Sequence, residues 1–125
     1  MCIRDSAYAP FPDLHISGNL TLGENIADVA GLTAAYDGWK ASLGGKPAAV
    51  LNNFSGEQRY FIGYGQAHRA KFRDEALRRQ ILTNEHAPDP WRAATVRNSD
   101  AWYTAFGVKP GQKLYLDPKD RVQVW

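Results

Sequence analysis

Apolar side chains recur along this chain at helical rather than alternating intervals. From about Gly23 to Leu43, Leu32, Tyr36, Trp39 and Leu43 follow one another at spacings of four, three and four, which predicts one apolar stripe on a long helix. Gly44-Gly45-Lys46-Pro47 ends it, because two glycines and a proline extend a helix poorly. A second helix is expected to begin near Ser55, whose hydroxyl can cap while Gln58 reaches back to the cap amide. Its inner face is Tyr60, Phe61, Tyr64 and His68, and Gly63 and Gly65 are expected to permit close packing against it. Asp74 to about Thr83 predicts a third, shorter helix. His86 to Arg92 contains Pro88 and Pro90 and cannot be helical throughout, so it reads as a rigid loop. Asn98 or Ser99 can cap a last short helix through Phe106, ended by Gly107, and Pro110-Gly111 opens an irregular tail. Strand signals are confined to Lys113 through Leu116 and Arg121 through Trp125. The expected fold is mainly α, one unit with a short irregular or strand-like tail.

Composition bounds what this unit can be. A chain of 125 residues, 44% hydrophobic and 22% charged, is an ordinary globular composition with room for one modest core. No apolar run reaches the ~18 to 20 residues of a membrane helix. The only cysteine, Cys2, can form neither an internal disulfide nor a cysteine-based zinc site. Fifteen basic residues face thirteen acidic ones, and residues 1 to 54 hold three of the former and five of the latter. The densest basic stretch, His68 to Arg79, is interrupted by Asp74-Glu75 and reads as a solvated face with internal ion pairs rather than a nucleic-acid surface.

Chemistry concentrates on the first helix. Glu24 and Asp28, at i and i+4, share a face that adjoins the Leu32, Tyr36 and Trp39 stripe and lies opposite Thr33, Asp37 and Lys40. Both acids are therefore expected to point inward. Stacked like charges there raise one pKa or require a cation, whether a metal or a His or Arg partner. The plainer alternative is a helix amino-terminus, where acids in the first turn favour the macrodipole. Ala27, Ala30, Gly31, Ala34, Gly38 and Ala41 form a small-residue flank that invites close approach of something large.

The run Gly23-Glu24-Asn25-Ile26-Ala27-Asp28-Val29-Ala30-Gly31-Leu32 resembles the Glu-Asn-x-Ala-Asp-x-Gly-Gly motif of the neprilysin and endothelin-converting-enzyme family of zinc metallopeptidases, with Ala30 at the position of the first motif glycine. His86-Ala87-Pro88 followed by Arg92 resembles the same family's His-x-Pro...Arg loop, and the ending Leu116 to Trp125 resembles its carboxy terminus, with Val122 where vertebrate members carry a cysteine. The resemblance implies the carboxy-terminal part of a thermolysin-like (zincin) catalytic domain. It implies Glu24 as the third zinc ligand, Asp28 as the residue that orients a zinc-binding His, His86 as the hydrogen-bond donor to the oxyanion, and Arg92 as a contact to substrate backbone. Outside the resemblance, Arg92 can anchor a salt bridge to Asp89 or Asp100, His68 reads as a partly buried, hydrogen-bonded histidine, His15 as a surface residue, and Trp91 as packing.

The family's His-Glu-x-x-His helix is absent, since His15, His68 and His86 contain no i, i+4 pair, and so is its Asn-Ala-Tyr-type edge segment. The resemblance, from about Tyr8 to Trp125, therefore implies a carboxy-terminal piece with an incomplete zinc site, inactive alone. Its implied partners are peptide substrates in the intact enzyme and the missing amino-terminal part of the same protein, with neither nucleic acid nor a membrane segment. Family habit places such domains outside the cytoplasm: periplasmic, extracellular or at the cell surface. Met1 to Ser6 reads as a non-native start before a segment spanning residues 7–125. The alanine-rich flank and the Trp39 side are expected to be exposed as an apolar patch. The alternative function is a non-catalytic helical interaction module, either a decayed peptidase remnant or a basic surface using the His68 to Arg79 patch.

Overall fold

The computed structural model describes residues 5–124, so most of the suspected start, with Cys2, and the final Trp125 of the second strand signal lie outside the described residues. Among the described residues, five α-helices bounded at both ends are joined by loops: α1 (Gly18–Ser42), α2 (Gly56–Ala67), α3 (Asp74–Thr83), α4 (Asp89–Ala93) and α5 (Asp100–Phe106). A 3-10 turn, Ala94–Asn98, continues α4, and a second, Pro118–Asp120, interrupts the tail. The expected mainly helical architecture is the one observed.

Local chemistry explains the boundaries. α1 starts five residues before the predicted Gly23, because Ser17 is its N-cap and accepts the Leu20 amide at 3.2 Å, while Gly18 N–H donates to Ser6 Oγ at 3.0 Å. α1 stops where Gly44 (φ 58°) and Gly45 (φ 77°) turn left-handed. α2 opens on the anticipated capping box, with the Gln58 amide on Ser55 Oγ and the Ser55 amide on Gln58 Oε1. The segment read as one rigid loop is divided: His86 lies in a bend and Ala87 and Pro88 are irregular, whereas Asp89–Ala93 is helical with Pro90 at its second position, where no amide is required. α5 ends at Gly107 (φ 61°) as expected, but neither cap reading holds in full. Ser99 sits at the cap without a side-chain bond, and Asn98 instead donates to the Thr95 carbonyl and accepts the Val122 amide.

Two apolar clusters build the interior. One gathers Ile16, Ile81 and Ala87 with Tyr8, Phe11, Leu14, Leu77 and Trp91 around them, so the His86 segment is anchored through its neighbour Ala87. The other joins Leu32 of α1, Phe61 of α2 and Val96 of the 3-10 turn, flanked by Tyr36, Tyr60, Tyr64 and Trp102. Neither strand signal forms a strand among the described residues. The tail's backbone is satisfied by side chains instead: Tyr103 hydroxyl accepts the Leu116 amide, Arg121 Nε donates to the Leu116 carbonyl, and the Arg121 guanidinium lies 3.5 Å over the Tyr103 ring.

The glycine readings separate. A Cβ at Gly63 or Gly65 would meet nothing within 4 Å, so these residues permit no close approach. Gly56 does, since a Cβ there would collide with Ala48 Cβ and press on the Trp39 ring. The flank of α1 also divides. Ala27, Gly31, Ala34, Gly38 and Ala41 are exposed, as expected, together with Leu20 and Ile26. The Trp39 side is covered, because its ring stacks on Tyr60 at 5.6 Å and meets Tyr36 at 5.6 Å. Gly56→Ala is expected to destabilise the fold by about 1–3 kcal/mol through overpacking, and Gly63→Ala to stabilise it by up to about 1 kcal/mol, both read by urea denaturation.

Candidate functional site

The site is built where α1 meets the segment that runs from the end of α3 into α4. The start of α1 at Gly18 puts Glu24 and Asp28 in its interior, with no acid in its first turn, so the helix-terminus alternative does not hold. The two acids differ in depth: the Asp28 side chain is 10% exposed and the Glu24 side chain 36%, so only Asp28 points fully inward. Between them, Asn25 is buried and its Nδ2 donates to Thr21 Oγ1 and to Asp5 Oδ2, each at 3.1 Å. Asp5 is itself buried, although it falls in the stretch set apart from the sequence as a non-native start.

Each carboxylate has its own nitrogen partner. Arg92 grips Asp28 with a fork, Nε to Oδ2 and Nη2 to Oδ1, both 2.8 Å. His86 Nε2 lies 2.9 Å from Glu24 Oε2. Stacked acids were expected to require a metal or a His or Arg partner, and the described residues supply one of each organic kind. The bond to Asp28 holds the Arg92 guanidinium above its usual range. Arg92 therefore anchors a salt bridge, but to Asp28 rather than to Asp89 or Asp100. Asp89 lies 3.4 Å from His68, and Asp100 pairs with Arg121.

His86 is oriented from its other side. Asn84 Oδ1 accepts the His86 backbone amide at 2.8 Å and stands 3.2 Å from His86 Nδ1. Both ring nitrogens thus face acceptor oxygens. Sequence reasoning passed over Asn84, though an Asn two residues before a functional residue is the usual signal of a side chain bonding forward to the backbone. It also placed Tyr64 only on an inner helical face. The Tyr64 hydroxyl donates to the Arg92 carbonyl at 3.3 Å, and burial, with the Asp28 charge adding to it, pushes its phenol up to about 12.

The remaining candidates are distributed as follows. His68 is mostly buried against Tyr64, with ring centroids 4.7 Å apart, and His15 is exposed. Trp91 packs by stacking on Tyr8 at 4.8 Å. In the basic stretch, Arg78 is held by Asp13 through two bonds of 2.8 and 2.9 Å. Among the described residues no three His, Cys, Asp or Glu side chains converge on a metal position. Glu24 is a suitable oxygen donor, but a catalytic zinc takes three protein ligands, and the described residues do not complete that set. Among the described residues no helix is long and apolar enough to cross a membrane.

The family model for peptidase family M13 matches residues 4–122. The chain is 36% identical to the neutral endopeptidase of Lactobacillus helveticus over 111 residues, covering 88% of this chain and 16% of that protein. It is 33% identical to neprilysin-21 of Caenorhabditis elegans, covering 90% of this chain and 15% of that protein. The zinc metalloprotease Zmp1 of Mycobacterium tuberculosis, solved in an open state, matches with a TM-score of 0.95 and 38% identity over 99% of this chain and 20% of its own. The chain thus spans a fifth or less of the length of these relatives.

Two measurements check the site's internal geometry. Arg92→Ala is expected to cost about 2–4 kcal/mol by leaving Asp28 without its counter-charge, and adding Asp28→Asn should recover part of that loss in a double-mutant cycle. The Tyr64 phenol, ordinarily near 10, ionises at about 12 in the folded chain, so the unfolded chain releases this proton first. Stability should fall as pH rises from about 10 to about 12, and Tyr64→Phe should flatten that slope in denaturation series across the same interval.

Proposed function

The chain belongs to peptidase family M13, and on that premise we propose that residues 7–125 are the carboxy-terminal catalytic-domain segment of a zinc metalloendopeptidase that hydrolyses peptides. The observation that supports this reading is the pairing of Glu24 with His86 and of Asp28 with Arg92, which gathers the residues of two separate motifs at one place. Glu24 is the ligand this segment contributes to zinc, and the other ligands come from the rest of the protein, for which the open small-residue face of α1 is the docking side. Zinc, when bound, supplies an activated water at neutral pH.

The chain's own residues do the positioning. Asp28 uses one lone pair on each oxygen for Arg92 and keeps the others, enough to accept the N–H of a ligating imidazole and fix its tautomer. Arg92 commits two of its five N–H donors to Asp28 and keeps three for substrate carbonyls. His86, held at Nδ1 by Asn84, presents an Nε2–H suited to the oxyanion that develops as the peptide carbonyl is attacked. On this reading the zinc set is incomplete among the described residues, and the 125-residue chain alone is expected not to hydrolyse peptides.

The test uses the longer protein that carries a His-Glu-x-x-His helix. Glu24→Gln should strip zinc as measured by metal analysis, and Asp28→Asn should weaken zinc affinity roughly ten- to a hundredfold. His86→Ala should lower kcat with zinc retained. Unchanged zinc content and turnover in Glu24→Gln would end the assignment.

A further inference from the structure

α2 makes two hydroxyl bonds to other helices, and both end on the backbone that carries the Asp28–Arg92 fork. Tyr60 Oη donates to the Leu32 carbonyl of α1 at 2.7 Å, and Tyr64 Oη donates to the Arg92 carbonyl of α4 at 3.3 Å. Leu32 stands one helical turn beyond Asp28, and Arg92 is the other arm of the fork. Tyr60 and Tyr64 are themselves one turn apart, so a single face of α2 brackets both helices.

α4 requires such support. It has five residues and no side-chain cap, and its first turn closes with the Trp91 and Arg92 amides on the same Pro88 carbonyl, at 2.8 and 3.2 Å. A helix this short does not hold its shape unaided. The fork to Asp28 restrains the guanidinium, but a long arginine side chain has enough rotatable bonds to follow a shifting backbone. Tyr64 ties the backbone itself, and His68, one turn further along α2, stands 3.4 Å from Asp89 at the start of α4. The Tyr64 phenol keeps its proton up to about 12, so its hydroxyl remains a donor throughout the neutral range. On the α1 side, the Tyr60 ring is packed among Tyr36, Trp39 and Phe61, which gives the bracket a firm base.

We propose that Tyr60 and Tyr64 are positioning residues, whose hydroxyls together set the distance between α1 and α4 and so hold the Arg92 guanidinium where its uncommitted donors meet a substrate backbone. The substrate in this inference rests on the peptidase reading, whereas the bracket rests on the hydrogen bonds alone. A binding group displaced by about 1 Å loses much of its value to a reacting substrate. The two hydroxyls thus act on substrate binding without touching substrate or zinc.

The experiment compares, in the ¹⁵N-labelled 125-residue chain, the rate at which the Arg92 Nε–H exchanges with water in the unmodified chain, Tyr60→Phe and Tyr64→Phe. Each change keeps the ring and its packing, and each should speed the exchange roughly threefold to tenfold. The Arg121 Nε–H, held by the Leu116 carbonyl, is the internal control and should not move. Tyr36→Phe, which removes a hydroxyl bonded to no described residue of the same aromatic group, should leave Arg92 unchanged. In the longer protein, Tyr64→Phe should raise KM for a peptide roughly threefold to tenfold with kcat and zinc content retained. A purely structural role would lower the unfolding midpoint and leave KM alone. Unchanged Arg92 exchange in either variant, an equal effect of Tyr36→Phe, or loosened Arg92 with unchanged KM would overturn the proposal. A longer protein that holds no zinc and cleaves no peptide would sink the peptidase reading instead, and the exchange rates, which need neither zinc nor turnover, would still decide the bracket.

Discussion

The forked ion pair between Arg92 and Asp28 joins residues 64 positions apart and sets the geometry of the site. Asp28 is nearly buried and requires a counter-charge at a defined place, which a guanidinium fork supplies with directional bonds on both oxygens. That requirement brings α4 against α1. With Arg92 fixed, the stretch before α4 has little freedom: Ala87 is buried against Ile16 and Ile81, and His86 arrives opposite Glu24, one helical turn from Asp28. Tyr64 completes the corner from α2 by bonding the Arg92 carbonyl, so three helices converge on one charge pair.

Much of this was legible in the residues. The Ser55 and Gln58 capping box, the Gly107 terminus and the aromatic face of α2 follow from local rules that act over one turn, and tertiary structure has no reason to override them. The inward position of Asp28 and the need for a cation beside the acids follow from helical periodicity and electrostatics. What periodicity could not supply was the partner. Asp89 and Asp100 are nearer Arg92 in sequence than Asp28 is, and proximity along the chain favoured them, whereas the fold gives Asp89 to His68 and Asp100 to Arg121.

The misread features share a cause: each depended on a contact between distant segments. α1 begins early because Ser17 caps it and Ser6, twelve residues upstream, binds the Gly18 amide, and this moves Glu24 from a first turn to a helix interior. The tail has strand-forming residues but no neighbouring strand, so Tyr103, Asn98 and Arg121 take up its backbone groups. Gly56 is constrained by Trp39 and Ala48 from other elements, while a Cβ at Gly63 or Gly65, conspicuous inside a helix, would meet nothing within 4 Å. The motif-based reading of Glu24, Asp28, His86 and Arg92 did bring together residues from two elements, because a motif carries long-range information that periodicity lacks.

The proposed roles also impose a physical economy on Glu24. As the structure stands, Glu24 Oε2 is engaged by His86 Nε2, so the metal-ligand candidate and the oxyanion-donor candidate occupy each other. A carboxylate oxygen coordinated to a cation gives up electron density and becomes a poorer hydrogen-bond acceptor, which weakens its hold on the imidazole. Asn84 keeps the ring in place at Nδ1 whatever happens at Nε2. Were Glu24 to hold a zinc ion, as proposed, its grip on His86 Nε2 would weaken and that donor would be free for a reacting peptide, with the ring still held at Nδ1. Asp28 is not subject to this competition, because its Arg92 fork leaves a lone pair free on each oxygen, and the two acids that look alike in the sequence are suited to different tasks.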